Sequence, residues 1–212
     1  MKTCAPLRLD PAVLAGDLDA LEALLASEAR LKERDRVIPF FKARPHLSAA
    51  LGFANNDVEL PDRVAQELDL FGDFACDVAA GDSEANAYTL VEFEDAQERS
   101  IFGALPVGKT VKRWSPRFEH GFSQLVDWAW RISAEGQGSD AFRRVFGDAN
   151  PSIKLLLVIG RDADLTRDDL ARLRWRAKHT SLGAFSFSCF TFDGFLQSVR
   201  RRLLLASQPG AD

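Results

Sequence analysis

Apolar positions in the first part of the chain recur at helical spacing. Val13, Leu14, Leu18, Leu21, Leu25 and Leu31 fall on one stripe and predict an amphipathic helix over residues 10–35. A shorter helix is predicted over 37–42, ahead of Pro45. Residues 45–60, with Asn55, Asn56, Asp57 and then Pro61, read as a connection into a helix at about 62–70. The period then changes to two. Residues 74–78 and 88–93 are short β-prone runs on either side of a Gly-, Asp- and Asn-containing loop at 81–86, which predicts an antiparallel hairpin. Ser115 and Pro116 form a cap-and-proline start for a helix whose stripe is Phe118, Phe122, Leu125, Ala129 and Ile132. Residues 153–159 are almost wholly apolar, as in a strand covered on both faces. Thr166 with Asp169 predicts a capped helix to about Lys178; residues 185–190 read as a strand and 193–205 as a final helix. Helices, hairpin, helix, strand, helix, strand, helix is the order of an α/β sandwich with a mixed sheet.

Composition adds constraints. With 212 residues and 46% hydrophobic content the chain fits one globular domain with a small helical appendage. Cys4, Cys76 and Cys189 are far apart, so there is neither a disulfide framework nor a paired-cysteine metal site. The first ten residues lack the apolar core of a signal peptide, and no run is long enough to span a membrane. A cytoplasmic protein with no membrane partner is expected.

The net charge of −4 conceals an asymmetry. Between Asp57 and Glu98 stand thirteen acids against Arg63 alone, whereas Arg99, Lys109, Lys112, Arg113 and Arg117 follow with no acid among them. Further bases gather at 172–178 and at 200–202. Carboxylates inside strand patterns need partners, and a cation is one. With the hairpin loop centred near residue 83, Asp73 faces residues 92–93, and Glu92 and Glu94, two apart, emerge from one face of their strand. Asp73, Glu92 and Glu94 then converge at one end of the sheet, with Asp77 ranked behind Asp73. Three clustered carboxylates stay ionised with a hard cation between them, and oxygen-only ligation suits Mg²⁺, or Mn²⁺ in its place, rather than zinc.

Asp73 and Phe74, a short loop, then Val91, Glu92, Phe93 and Glu94 resemble the PD-(D/E)XK nuclease core, in which an Asp and a later Glu-x-Lys surround the catalytic metal. His120 and the run from Gln124 to Trp128 resemble the glutamine-and-aromatic helix that follows that core. With the stretches Phe-Phe-Lys-Ala-Arg-Pro-His-Leu at 40–47, Leu-Leu-Leu-Val-Ile-Gly-Arg at 155–161 and Phe-Asp-Gly-Phe-Leu at 192–196, the ordered set is similar to the Shedu family of bacterial antiphage nucleases over roughly residues 35–205. The resemblance implies a restriction-endonuclease-like mixed sheet flanked by helices at 37–207, after an N-terminal helical segment at 1–36. It also implies a Mg²⁺-dependent DNA endonuclease that forms a homo-oligomer and acts against phage.

Under that resemblance Asp73 and Glu92 hold the metal. Glu94 binds a second metal or acts as general base, Gln124 orients water or phosphate, and Lys109, Lys112, Arg113 and Arg117 contact the DNA backbone. Glu67 is a further candidate for the metal shell. Glu94 stands where the family pattern has lysine. A second metal, Lys109 or Lys112 reaching in, or an inactive site all remain open. The alternative to an enzyme is a degenerate nucleic-acid-binding or phage-sensing module on the same fold. The surplus of leucines at 10–35 is read as a surface for another subunit or a capping region.

Overall fold

The computed structural model describes residues 3–136, 138–147 and 150–206; the expected domain limit at 207 lies outside them. Among these residues seven strands form one mixed sheet in the order β1-β2-β3-β4-β5-β7-β6. They are β1 (Ala5–Pro6), β2 (Arg63–Leu70), β3 (Phe74–Asp82), β4 (Ala87–Phe93), β5 (Ser152–Val158), β6 (Ser181–Leu182) and β7 (Phe185–Phe190). β1 to β4 run antiparallel, β4, β5 and β7 run parallel, and β6 returns antiparallel on the outer edge of β7. The expected α/β class with a mixed sheet is therefore observed.

Among the described residues seven α-helices cover the two faces. They are α1 (Pro11–Ser27), α2 (Ile38–Lys42), α3 (Pro45–Ala50), α4 (Pro116–Glu135), α5 (Asp140–Phe146), α6 (Arg167–His179) and α7 (Phe192–Ala206). The alternation of β5 divides the core. Leu155 and Leu157 join the cluster beneath α4, α5 and α6, while Leu156 and Val158 join that beneath α1, α2, α3 and α7. Ser115 caps α4 by accepting from Phe118 N at 3.0 Å, with Pro116 in the first turn. Thr166 and Asp169 cap α6 reciprocally.

The helix expected at 10–35 ends at Ser27, because Leu31 exchanges two backbone hydrogen bonds with Ala96 at 2.8 and 3.0 Å. Its buried leucines, Leu14, Leu18, Leu21 and Leu25, pack in the same cluster as Phe41, Phe93 and Phe195. The stripe is thus occupied within the chain, and the N-terminal helical segment shares one core with the sheet and α7. The helix expected at about 62–70 is instead the strand β2, Arg63–Leu70. The good helix formers in Gln-Glu-Leu are overridden by pairing with β3 from Arg63 opposite Gly81 to Leu70 opposite Phe74. The connection at 45–60 holds α3, and Pro45 starts a helix as well as following one. α5, capped by Ser139 and closed by left-handed Gly147, is an element that the sequence pattern does not announce.

Candidate functional site

The hairpin turns later than its sequence suggests. Asp82 accepts hydrogen bonds from the backbone N–H groups of Glu84 and Ala85 with one oxygen, and of Glu59 and Leu60 with the other, at 2.9–3.1 Å. Those four donors hold its carboxyl below the usual range and fix the loop at residues 83–86. The register is then Asp82 opposite Ala87 and Val78 opposite Val91. One step further along both strands, Asp77 reaches Glu92. Asp73, expected opposite residues 92–93, lies beyond the paired segment. Its side chain is 60% exposed and ion-paired with Arg131 at 2.6 Å. The carboxylate brought to Glu92 is Asp77, whose Oδ2 accepts from Phe93 N at 2.8 Å.

Glu92 and Glu94 do share a face, as their spacing requires, and both meet α4. Gln124 donates its amide to Glu92 Oε1, and His120 Nδ1 lies 2.8 Å from Glu94 Oε1. Gly121 allows this approach. A Cβ there would stand 2.7 Å from Leu157 Cδ1 and 3.0 Å from Glu94 Cγ. Glu94 is wholly buried, yet its Oε2 accepts no hydrogen bond of good geometry; Arg117 Nη1 is 3.1 Å away as an ion-pair partner. Arg117 also reaches Asp95 at 3.2 Å and Glu33 at 3.7 Å. Asp95 in turn accepts from Glu33 N at 2.8 Å, which ties the π-helical turn Glu33–Val37 to the end of β4.

Glu33, Asp77, Glu92, Asp95, Arg117, His120 and Gln124 line a cleft of about 750 Å³ at the carboxyl end of β4, with Glu94 buried behind it; the carboxyl ends of strands are where open α/β sheets commonly bind ligands. Five carboxylates, Glu33, Asp35, Asp77, Glu92 and Asp95, line the cleft, with Lys32, Arg34 and Arg117 as the cations and His120 beside them. Burial first, and then the charge of neighbouring acids, raises the carboxyls of Asp77 to about 7 and Glu92 to about 10. Burial also raises Glu94 and Glu33, against the pull of His120 and Arg117.

Of the expected backbone-binding cations only Arg117 lines the cleft. Lys112 is paired with Asp169 at 2.6 Å, and Lys109 and Arg113 are exposed on the loop before α4, so neither expected lysine reaches Glu94. Glu67 lies on β2 at φ +52°, opposite the Asp77 position, and ion-pairs with Lys42 at 3.8 Å rather than lining the cleft. Glu33 and Asp95 join the site without having been singled out by the sequence. The position of Asp95, directly after Glu94, is a signal that could have found it. Nothing local marks Glu33, which enters from more than sixty residues upstream.

A hard cation suits part of this donor set. Asp77 and Glu92 are paired oxygen donors whose mutual repulsion a cation would relieve, and Glu94 Oε2 is buried without a hydrogen bond. Among the described residues no group of three His, Cys, Asp or Glu side chains stands in a metal-holding arrangement.

The fold and the cleft together define an α/β protein with a carboxylate-lined site at the carboxyl end of β4. A model of the family described as Shedu protein SduA, C-terminal, matches residues 31–196, and the chain belongs to the Shedu family. That membership implies a part in antiphage defence. No curated protein matches the chain. No helix among the described residues is long and apolar enough to cross a membrane.

Proposed function

We propose that the protein is a metal-dependent DNA endonuclease of antiphage defence with a PD-(D/E)XK-type centre, using Mg²⁺, with Mn²⁺ as a substitute. The observation that carries this reading is the buried pair Asp77 and Glu92, held across two strands and facing the Gln124 helix. Asp77 takes the place that the sequence pattern gives to Asp73, and with Glu92 would hold the cation. When bound, a divalent cation supplies the Lewis acid that polarises a scissile phosphate. Gln124 fixes the Glu92 carboxylate through its amide N–H and leaves its amide oxygen to orient water. His120, which lines the cleft, accepts a proton from the attacking water, and the buried Glu94 behind it, 2.8 Å away, holds the ring and offsets its charge. Arg117 brings positive charge to the position where the family pattern has lysine, 3.1 Å from Glu94 Oε2.

A second reading is a degenerate module that binds nucleic acid or senses phage. It is favoured by the ion pair of Glu94 with Arg117 and its contact with His120, which give that carboxylate partners without a metal.

Linear and supercoiled DNA incubated with the protein in Mg²⁺, Mn²⁺ or EDTA, beside Glu92→Gln, separates the two readings. Metal-dependent cleavage that disappears in the variant is expected. DNA bound but left intact in every lane would favour the binding module. Assembly into a homo-oligomer, placing two centres on opposite strands, belongs to the same proposal and is read by light scattering.

A further inference from the structure

The carboxylate-lined cleft is a poor anchor for a polyanion. Glu33, Asp35, Asp77, Glu92 and Asp95 line it against Lys32, Arg34 and Arg117, of which Arg34 is paired with Glu33 at 3.9 Å and Arg117 is shared among three acids. Lys112, expected to grip the backbone, is held by Asp169. Attraction for a phosphate chain must come from another surface.

From Leu170 to Ala206 there are seven Lys or Arg residues and a single acid, Asp193, which is paired with Arg161 at 2.9 Å. Along α6, Arg167, Arg174 and Lys178 are all exposed at spacings i, i+7 and i+11, so they share one face. At 1.5 Å per residue that row is about 16 Å long. The exposed carboxylate of α6, Asp168, lies at its first turn and off this face. Across a cleft of about 540 Å³, α7 presents Arg201 and Arg202, with Gln197 and Ser198 between them. Arg202 is anchored to Phe53 O at 3.0 Å, whereas Arg167, Arg174 and Arg201 make no ion pair among the described residues. Asp162 also borders the cleft, where it accepts from the Thr191 hydroxyl at 2.6 Å.

A single bound anion needs one convergent point of charge, whereas a row of cations one to two helical turns apart matches repeated phosphates. Position agrees with this. The α6–α7 cleft opens at the carboxyl end of β7, two strands from β4 and so about 10 Å away at ordinary strand spacing. A duplex strand covers that distance in about three nucleotides at 3.4 Å each.

We propose that the α6–α7 face is a nucleic-acid backbone site that carries most of the affinity for DNA, while the acidic cleft carries the chemistry. This rests on the nuclease reading only for the purpose of the binding; the contact itself is independent of cleavage.

The test is fluorescence anisotropy of a labelled duplex with the full chain in EDTA at several salt concentrations. Wild type is compared with Arg174→Gln/Arg201→Gln, Arg174→Glu/Arg201→Glu and, as a control on α5, Arg144→Glu. The glutamine pair is expected to reduce the slope of log K against log salt by about two, since each phosphate contact contributes about 0.9. The glutamate pair is expected to weaken binding more than tenfold. Arg144→Glu is expected to bind as wild type does. All substituted positions on α5, α6 and α7 are exposed, and an unchanged melting temperature certifies folding. Wild-type binding with the slope unaltered in both pairs would overturn this site and leave the nuclease reading intact. Binding that depends on Arg174 and Arg201 in a protein that never cleaves would uphold the site and remove the nuclease. Saturable calorimetric binding of inorganic phosphate, lost in the pairs while DNA binding persists, would make the cleft a small-anion pocket and overturn the proposal.

Discussion

Asp77 and Asp73 are four residues apart on one run of chain and face opposite fates. Asp77 is folded into the sheet, bonded to Phe93 N and pressed against Glu92; Asp73 projects to solvent and holds Arg131. Asp77→Asn is therefore expected to reduce DNA cleavage by about 100-fold or more, and Asp73→Asn to leave it within a few-fold of wild type. Parallel cleavage assays decide this, and equal losses would return Asp73 to the centre. The spacing of Glu92 and Glu94 was legible, because two residues along any strand share a face; Gln124 on α4 was marked only by the family resemblance, and the contacts of that helix with the two glutamates were not legible. Asp77 was not, because the register depends on Asp82. Its four backbone bonds include two to Glu59 and Leu60, partners more than twenty residues away that no local pattern reveals.

At the scale of the element, α4 can lie on β4 and β5 because Gly121 presents no side chain to Leu157 and Glu94. Gly121→Ala relieves backbone entropy in a helix, a gain of up to about 1 kcal/mol, but a Cβ at 2.7 Å from Leu157 forces helix or strand to move. Overpacking of this kind costs about 1–3 kcal/mol, so a net loss of stability is expected, together with displacement of Glu94 and slower cleavage. Denaturant unfolding checks the first and a cleavage time course the second; a stabilised, fully active Gly121→Ala would refute the close contact. Most elements could be read from the chain, since stripes such as that of α4 and the apolar run of β5 state their periods openly. β2 could not. Val64, Leu68 and the helix-favouring residues between them satisfy a helical spacing, and Glu67 at positive φ interrupts the alternation that would have marked a strand.

Over the whole molecule, buried acids make stability depend on pH. Asp77 and Glu92 bind protons more tightly folded than unfolded, with folded values near 7 and 10. The stability they lend is full below the ordinary carboxylate range and is lost as pH rises, first through about 7. In EDTA the melting temperature is expected to fall between pH 5.5 and 8.5, and Asp77→Asn to flatten that fall. Mg²⁺ is expected to restore more stability at pH 8.5 than at 5.5, since carboxylates must lose their protons to hold it. Scanning fluorimetry reads all three, and a pH-independent melting point would contradict the burial of the pair. The global charge map could be seen in the sequence as blocks, but not how the blocks annul one another. Arg117 and Lys112 belong to the basic stretch at 99–117, yet the fold assigns them to Glu94, Asp95 and Asp169.

Trp114 sits in a stack built by separate parts of the chain. Its ring lies 4.5 Å from those of Phe102 and Phe118, and the guanidinium groups of Arg172 and Arg176 from α6 stand 4.7 and 4.6 Å from its centre. Two positive charges over an indole perturb its excited state, so the emission of Trp114 depends on whether α6 is seated. Trp130 and Trp175 are exposed and Trp128 is buried, so replacing the first two with phenylalanine would leave a quiet background. The protein thereby contains its own optical gauge of the helix that bears the cationic row, readable without a label.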